Sequence, residues 1–147
     1  AWLGDLASED VVWTIYPTAL LVTPEDLSSA ASKHRASGAA FLVPVLRYPH
    51  PVERRLRIGT DGMLQPDEPD RMVVRSQDLS PAFHDAGQYY IGTVSVWMTS
   101  GPFHGGRTIG HILPATRAVD IDEPEDWERA ELLARLMDSA SDHLDQS

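Results

Sequence analysis

The 147-residue sequence contains no cysteine. That excludes disulfides, thiolate metal sites and a cysteine nucleophile, and it makes a reducing compartment, the cytoplasm, the expected setting. Long apolar runs are also missing, and none approaches the roughly 20 residues a membrane-spanning helix needs. The opening Ala1-Trp2-Leu3-Gly4-Asp5 shows neither a positive n-region nor a cleavage-site pattern, so no signal peptide is read there. It has no initiator Met, and the chain is expected to start within a longer protein. Basic residues are scarce, 12 against 22 acids, for a formal net charge of −10. A duplex-binding surface wants a basic stripe, so nucleic acid is not an expected partner. There is no Gly-x-Ser-x-Gly elbow, and the six histidines lack zinc-ligand spacing. The run from Gly101 to Gly106 has neither the preceding strand nor the lysine of a phosphate-binding loop.

What is present is unevenly placed. Six of the twelve basic residues (Arg47, Arg54, Arg55, Arg57, Arg71 and Arg75) fall between positions 47 and 75, and ten of the acids lie from Asp120 onward. A basic middle and an acidic end fit two solvated faces of opposite sign, or an anion site beside a metal site.

The pattern of elements is that of an α/β domain. Val11-Val12-Trp13-Thr14-Ile15-Tyr16 reads as a buried strand ended by Pro17. Thr23-Pro24-Glu25-Asp26 reads as a helix start, with Thr23 as cap, and Gly38 as the stop. Leu27, Ala30, Ala31 and His34 recur at helical spacing between them. A second apolar run, 40–46, follows, and strand–helix–strand predicts a right-handed parallel unit. Residues 55–58 and 63–65 flank Gly59-Thr60-Asp61-Gly62 and predict a hairpin. Residues 88–91 and 108–113 read as strands, and 94–98 suits strand or helix equally. Pro124-Glu125-Asp126 opens the final helix, with Trp127, Ala130, Leu133, Ala134 and Met137 as its core stripe.

Three stretches could carry chemistry. Asp120-Ile121-Asp122 stands just before that helix. If extended, it turns both carboxylates to one side, at the sheet edge where open α/β folds bind ligands. Two hard oxygen ligands there suit Mg²⁺; the same acids could equally cap the helix and answer its dipole. Arg75-Ser76-Gln77-Asp78 offers a guanidinium that can grip a carboxylate with two parallel bonds, beside an amide that donates and accepts. It could equally be a surface Arg beside a capping Ser or Asp. Tyr16-Pro17-Thr18 ends the first strand, either as ligand edge or as an ordinary turn.

Together Tyr16-Pro17-Thr18-Ala19, Arg75-Ser76-Gln77-Asp78-Leu79, His84-Asp85-Ala86-Gly87-Gln88-Tyr89-Tyr90 and Asp120-Ile121-Asp122-Glu123-Pro124-Glu125-Asp126-Trp127 resemble the CMP-sialic acid synthetase family, nearest its pseudaminic acid branch. The resemblance implies a Rossmann-like, three-layer nucleotide–sugar transferase domain over residues 1–147, incomplete at its N-terminus. An inserted dimerisation hairpin region, about 51–88, would help form the sugar pocket. It implies CMP transfer from CTP to an acidic nine-carbon sugar, with Asp120 and Asp122 as the catalytic acidic pair on Mg²⁺. Arg75 and Gln77 match positions near the sugar's carboxylate, and Tyr90 and Phe103 match aromatics by the sugar pocket. Tyr16, Pro17 and Thr18 match the strand-end motif, with Tyr16 standing where sialic acid enzymes often carry glutamine. A homodimer in the cytoplasm is the expected assembly. The family's glycine-rich CTP-phosphate loop has no counterpart here. A non-catalytic relative that binds an acidic sugar, or only dimerises, is therefore the second expectation.

Overall fold

The computed structural model describes residues 5–99, 101–104 and 107–144, with side chains to 139, and divides into two units. Residues Ala1–Leu46 and Asp85–Ser147 form the first unit, and Arg47–His84 the second.

The first unit is mixed α/β with a mostly antiparallel sheet. Strand β1 (Val11–Ile15) leads to helix α1 (Pro24–Ser37) and strand β2 (Phe41–Arg47). The sequence's start and stop signals for α1 are realised. The Thr23 hydroxyl accepts from the Asp26 N–H at 3.2 Å, Asp26 accepts from the Thr23 N–H at 3.1 Å, and Gly38 closes the helix at φ +58°. Asp26 is also reached by Arg117 at 2.8 Å. Burial alone would raise this carboxyl's pKa, but the Thr23 backbone, Arg117 and the Thr23 hydroxyl outweigh it and hold the pKa below the ordinary range.

Strands β1 and β2 do run the same way, since each is antiparallel to β6 (Tyr89–Thr93), but they are not neighbours. Strand β6 lies between them, pairing Ile91 with both Trp13 and Leu42. The parallel neighbour of β2 is β7 (Thr108–Ile112), on its other side. A strand–helix–strand pattern fixes direction but not adjacency. The place between the two strands goes to the segment that buries most, and Tyr89 and Ile91 are fully buried. They pack with Leu42, Ala30, Ala86, Leu113 and Ala118 in the main core. Each large apolar side chain sequestered there contributes about 1.5–3 kcal/mol before the cost of ordering it.

The ambiguous 94–98 stretch forms a short helix, α2 (Val94–Trp97). The Trp97 ring meets Phe41 edge-on at 5.0 Å, which a continued strand would not allow. Helix α3 (Pro124–Leu144) buries Ala130, with Leu133, Ala134 and Met137, against Leu21, Val119 and Ile121. Trp127 departs from the predicted stripe. It is half exposed, and its indole N–H donates to Glu131 at 3.0 Å, because this small second core begins one turn further along. Among the described residues no helix is long and apolar enough to cross a membrane.

The second unit contains the predicted hairpin. Strands β3 (Leu56–Ile58) and β4 (Leu64–Pro66) pair in antiparallel register, Ile58 opposite Leu64. Arg57 and Arg55 both hold Asp67, in that order of strength, and pull its carboxyl down to about 2. Strand β5 (Phe83–Asp85) spans the division between the units, with Asp85 and the residues after it in the first.

Candidate functional site

The sequence-predicted aromatics come together at one end of the first unit. Tyr16 follows the last residue of β1, and its N–H donates to the Gln88 carbonyl at 2.9 Å. Tyr90, on β6, meets the Tyr16 ring edge-on at 5.6 Å and the Phe103 ring at 6.3 Å. Phe103 is 62 % exposed, whereas Tyr90 is only 8 % exposed. The Tyr90 hydroxyl donates to Asp85. Burial first, then that bond, then Tyr16, push the Tyr90 pKa above the ordinary tyrosine range, so its proton stays on the ring oxygen. Pro17 is exposed and Thr18 half-buried in the turn after β1, closed by Ala19 N–H to the Tyr16 carbonyl at 3.0 Å.

Asp120 reaches the same end. A Cβ built on Gly87 would lie 3.0 Å from an Asp120 carboxylate oxygen, so the carboxylate rests against the bare face of that glycine. Because β6 starts where β1 ends, Asp120, against Gly87, lies near the carboxyl end of β1. The stretch around Asp120 and Asp122 is not a strand. The capping work predicted as one role for these acids falls to Asp126, which accepts from the Asp122 and Glu123 N–H groups at 3.2 and 3.0 Å. Asp122 is exposed. Among the described residues no group of three or more His, Cys, Asp or Glu could hold a metal.

Arg75 and Gln77 lie in the second unit. Arg75 precedes a single 3-10 turn, Ser76–Asp78, and grips Asp78 at 2.8 and 3.3 Å. Its fork geometry is the one that suits a carboxylate, currently supplied from within the chain. Gln77 is exposed in the same turn.

Three residues at the centre of this arrangement carry no chemical signature of their own in the sequence. Asp85 accepts from Tyr90 and also from the Gly87 N–H at 3.0 Å. Gly87 has φ +61°. Gln88 is fully buried, and its amide donates to the Ala86, Gly87 and Val119 carbonyls at 2.8, 3.2 and 3.1 Å. The signal was in the sequence as Asp85-Ala86-Gly87-Gln88, a turn composition directly before a β-rich run.

Two cavities lie elsewhere. One of about 610 Å³ opens at the opposite end of β1, against Val11, Trp13, His34 and Gly38. The other, about 650 Å³, lies within the second unit against Tyr48, His50, Arg54 and Met72.

No family model matches the chain. Two curated relatives do, the pseudaminic acid cytidylyltransferases of Campylobacter jejuni subsp. jejuni serotypes O:2 and O:23/36. Each is 28% identical over 127 residues, covering 86% of this chain and 55% of the relative. The chain thus spans about half the length of these relatives, and is a distant homologue of a member of the CMP-sialic acid synthetase family.

Proposed function

From that distant homology we propose that the chain carries the sugar end of a nucleotidyltransferase that moves CMP from CTP onto an acidic nine-carbon sugar of pseudaminic or sialic acid type. The observation that carries the proposal is relatedness across 86% of the chain. The gathering of Tyr16, Tyr90 and Phe103, and the Asp120 carboxylate against Gly87 near the end of β1, support it.

In this reading the sugar's anomeric hydroxyl oxygen bonds to the α-phosphorus of CTP. The bond from that phosphorus to the bridging oxygen breaks, pyrophosphate leaves with the electron pair, and the hydroxyl loses its proton. Little covalent chemistry is asked of the protein, and positioning does most of the work. Phe103 and Tyr16 present exposed aromatic faces to the apolar side of a sugar ring. Tyr90, with its proton held, is a fixed donor and not a base. Within the second unit, Arg75 offers a fork suited to a carboxylate, which Asp78 now fills, and Gln77 lies in the same turn.

The donor set fits Mg²⁺ in one specific sense. Two carboxylates make no all-protein cage, but Mg²⁺ is usually held by one or two carboxylates, with water and substrate phosphate completing its shell. Asp120 and Asp122 would hold it, and it would neutralise charge on the phosphates. The second unit is read as the insert that forms a homodimer, and the lack of cysteine suits a cytoplasmic enzyme.

The test is pyrophosphate release from the protein in its full natural length, given CTP, Mg²⁺ and a panel of nonulosonic acids. Release with at least one member is expected. Release with none overturns the reading in favour of a non-catalytic relative.

A further inference from the structure

We propose that Gly87 and Gln88 are positioning residues for Asp120, the first by leaving room for its carboxylate and the second by anchoring the backbone beside it. This deepens the reading of Asp120 as a metal-holding residue and rests on it.

Gln88 is an unusual occupant for a fully buried position. Burying a primary amide costs free energy unless its polar atoms are bonded, and an aliphatic side chain of the same size would fill the space without that cost. Its nitrogen meets three carbonyls. Those of Ala86 and Gly87 are local and shape the turn. That of Val119 is 31 residues away and immediately precedes Asp120. The amide oxygen has no partner, so the donor half alone sets the side chain's orientation. With its carbonyl held, Val119 fixes where the next residue's side chain begins.

Gly87 answers from the other side. Its virtual Cβ would meet Oδ1, Cγ and Oδ2 of Asp120 at 3.0, 3.1 and 3.2 Å. Gly38 provides the comparison. It has nearly the same backbone conformation, φ +58° against +61°, with nothing within 4 Å of its virtual Cβ. An alanine at either position meets similar left-handed strain, but only at position 87 does the methyl press on a carboxylate.

The experiment compares Gly87→Ala, Gly38→Ala and Gln88→Met in the purified protein at its full natural length. One readout is the carboxyl ¹³C resonance of Asp120 at fixed pH without metal. The other is Mn²⁺ affinity by water-proton relaxation, with Asp120→Asn as reference. Gly87→Ala and Gln88→Met are expected to displace the Asp120 resonance and weaken Mn²⁺ by roughly tenfold, the low end for groups that orient a metal ligand. Gly38→Ala should lower the melting temperature comparably to Gly87→Ala and leave both readouts unchanged. An Asp120 resonance unmoved by Gly87→Ala, or moved equally by Gly38→Ala, overturns the proposal. If the resonance moves as expected while Asp120→Asn leaves Mn²⁺ affinity unchanged, the positioning role stands and the metal reading falls. Should Gln88→Met fail to fold, the two glycine variants decide alone.

Discussion

Tyr90 does two things with one side chain. Its ring forms the wall between Tyr16 and Phe103, and its hydroxyl ties down Asp85, which also holds the Gly87 N–H. Tyr90→Phe keeps the wall and removes the tie. It is expected to cost about 1.5–3 kcal/mol, the range for hydrogen bonds to charged groups, in urea denaturation at neutral pH. Both Tyr89 and Tyr90 should ionise only above the ordinary tyrosine range in an ultraviolet titration. A phenol whose folded pKa is raised contributes stability below the unfolded value near 10 and loses it as pH climbs past that value, so alkaline unfolding should begin there. Asp122, exposed and not needed for the helix cap, bears a different prediction. If the proposed transfer is what the protein carries out, Asp122→Asn should abolish its Mg²⁺-dependent pyrophosphate release while leaving the circular dichroism spectrum and melting temperature intact. Persisting activity would show that the metal is held elsewhere. At this scale the sequence exposed the donors and aromatics, because those are residue types. It hid Gln88, because its role consists of a bond to a carbonyl 31 residues away.

Helix α1 shows how far local rules reach. Its cap, first-turn proline and terminal glycine are all short-range chemistry, and all were legible. The Arg117 that completes Asp26 was not, being 91 residues distant. Asp26→Asn removes a charged acceptor at the cap and should cost about 1–2 kcal/mol at neutral pH, measured by urea denaturation. Nearby on β7, His111 is buried, and burial, then Lys33, lowers its pKa below 6.5. A lowered folded pKa means the unfolded chain takes up the proton first, so stability falls as pH drops below about 6.5. Asp26 repeats the argument at lower pH, losing its contribution as pH falls from about 4 through its depressed folded value. Stability measured against pH should therefore decline in two steps, with His111→Gln flattening the upper and Asp26→Asn the lower. Coincidence of the profiles of wild type and both variants would show that other groups control acid unfolding. Trp127 marks the limit of periodicity, since helical spacing identifies a stripe but not where the opposing core ends.

For the whole molecule, composition and strand–helix alternation announced an α/β protein, and the order of strands was out of reach. Which segment enters between β1 and β2 is decided by long-range burial, to which no local signal points. In the second unit the hairpin was legible because its turn residues are local, yet its surface is the less expected part. Ile58 is 73 % and Leu64 62 % exposed, and the two face each other across the ladder. Apolar side chains paired on an open hairpin suit burial against a second copy. On the proposed homodimer, Ile58→Lys with Leu64→Lys should give a monomer in sedimentation velocity where the unmodified protein gives a dimer, and a monomeric unmodified protein, or a dimer unchanged by the two substitutions, overturns this use of the hairpin. The central position of β6 also bears on how the chain is made. The strand between β1 and β2 leaves the ribosome after both of them and after the whole 47–84 excursion. Until residue 93 has emerged, β1 and β2 lack the strand that pairs with both of them. The sheet must then be completed from its middle, by long-range contacts that make folding slow and the waiting nascent chain dependent on protection from aggregation.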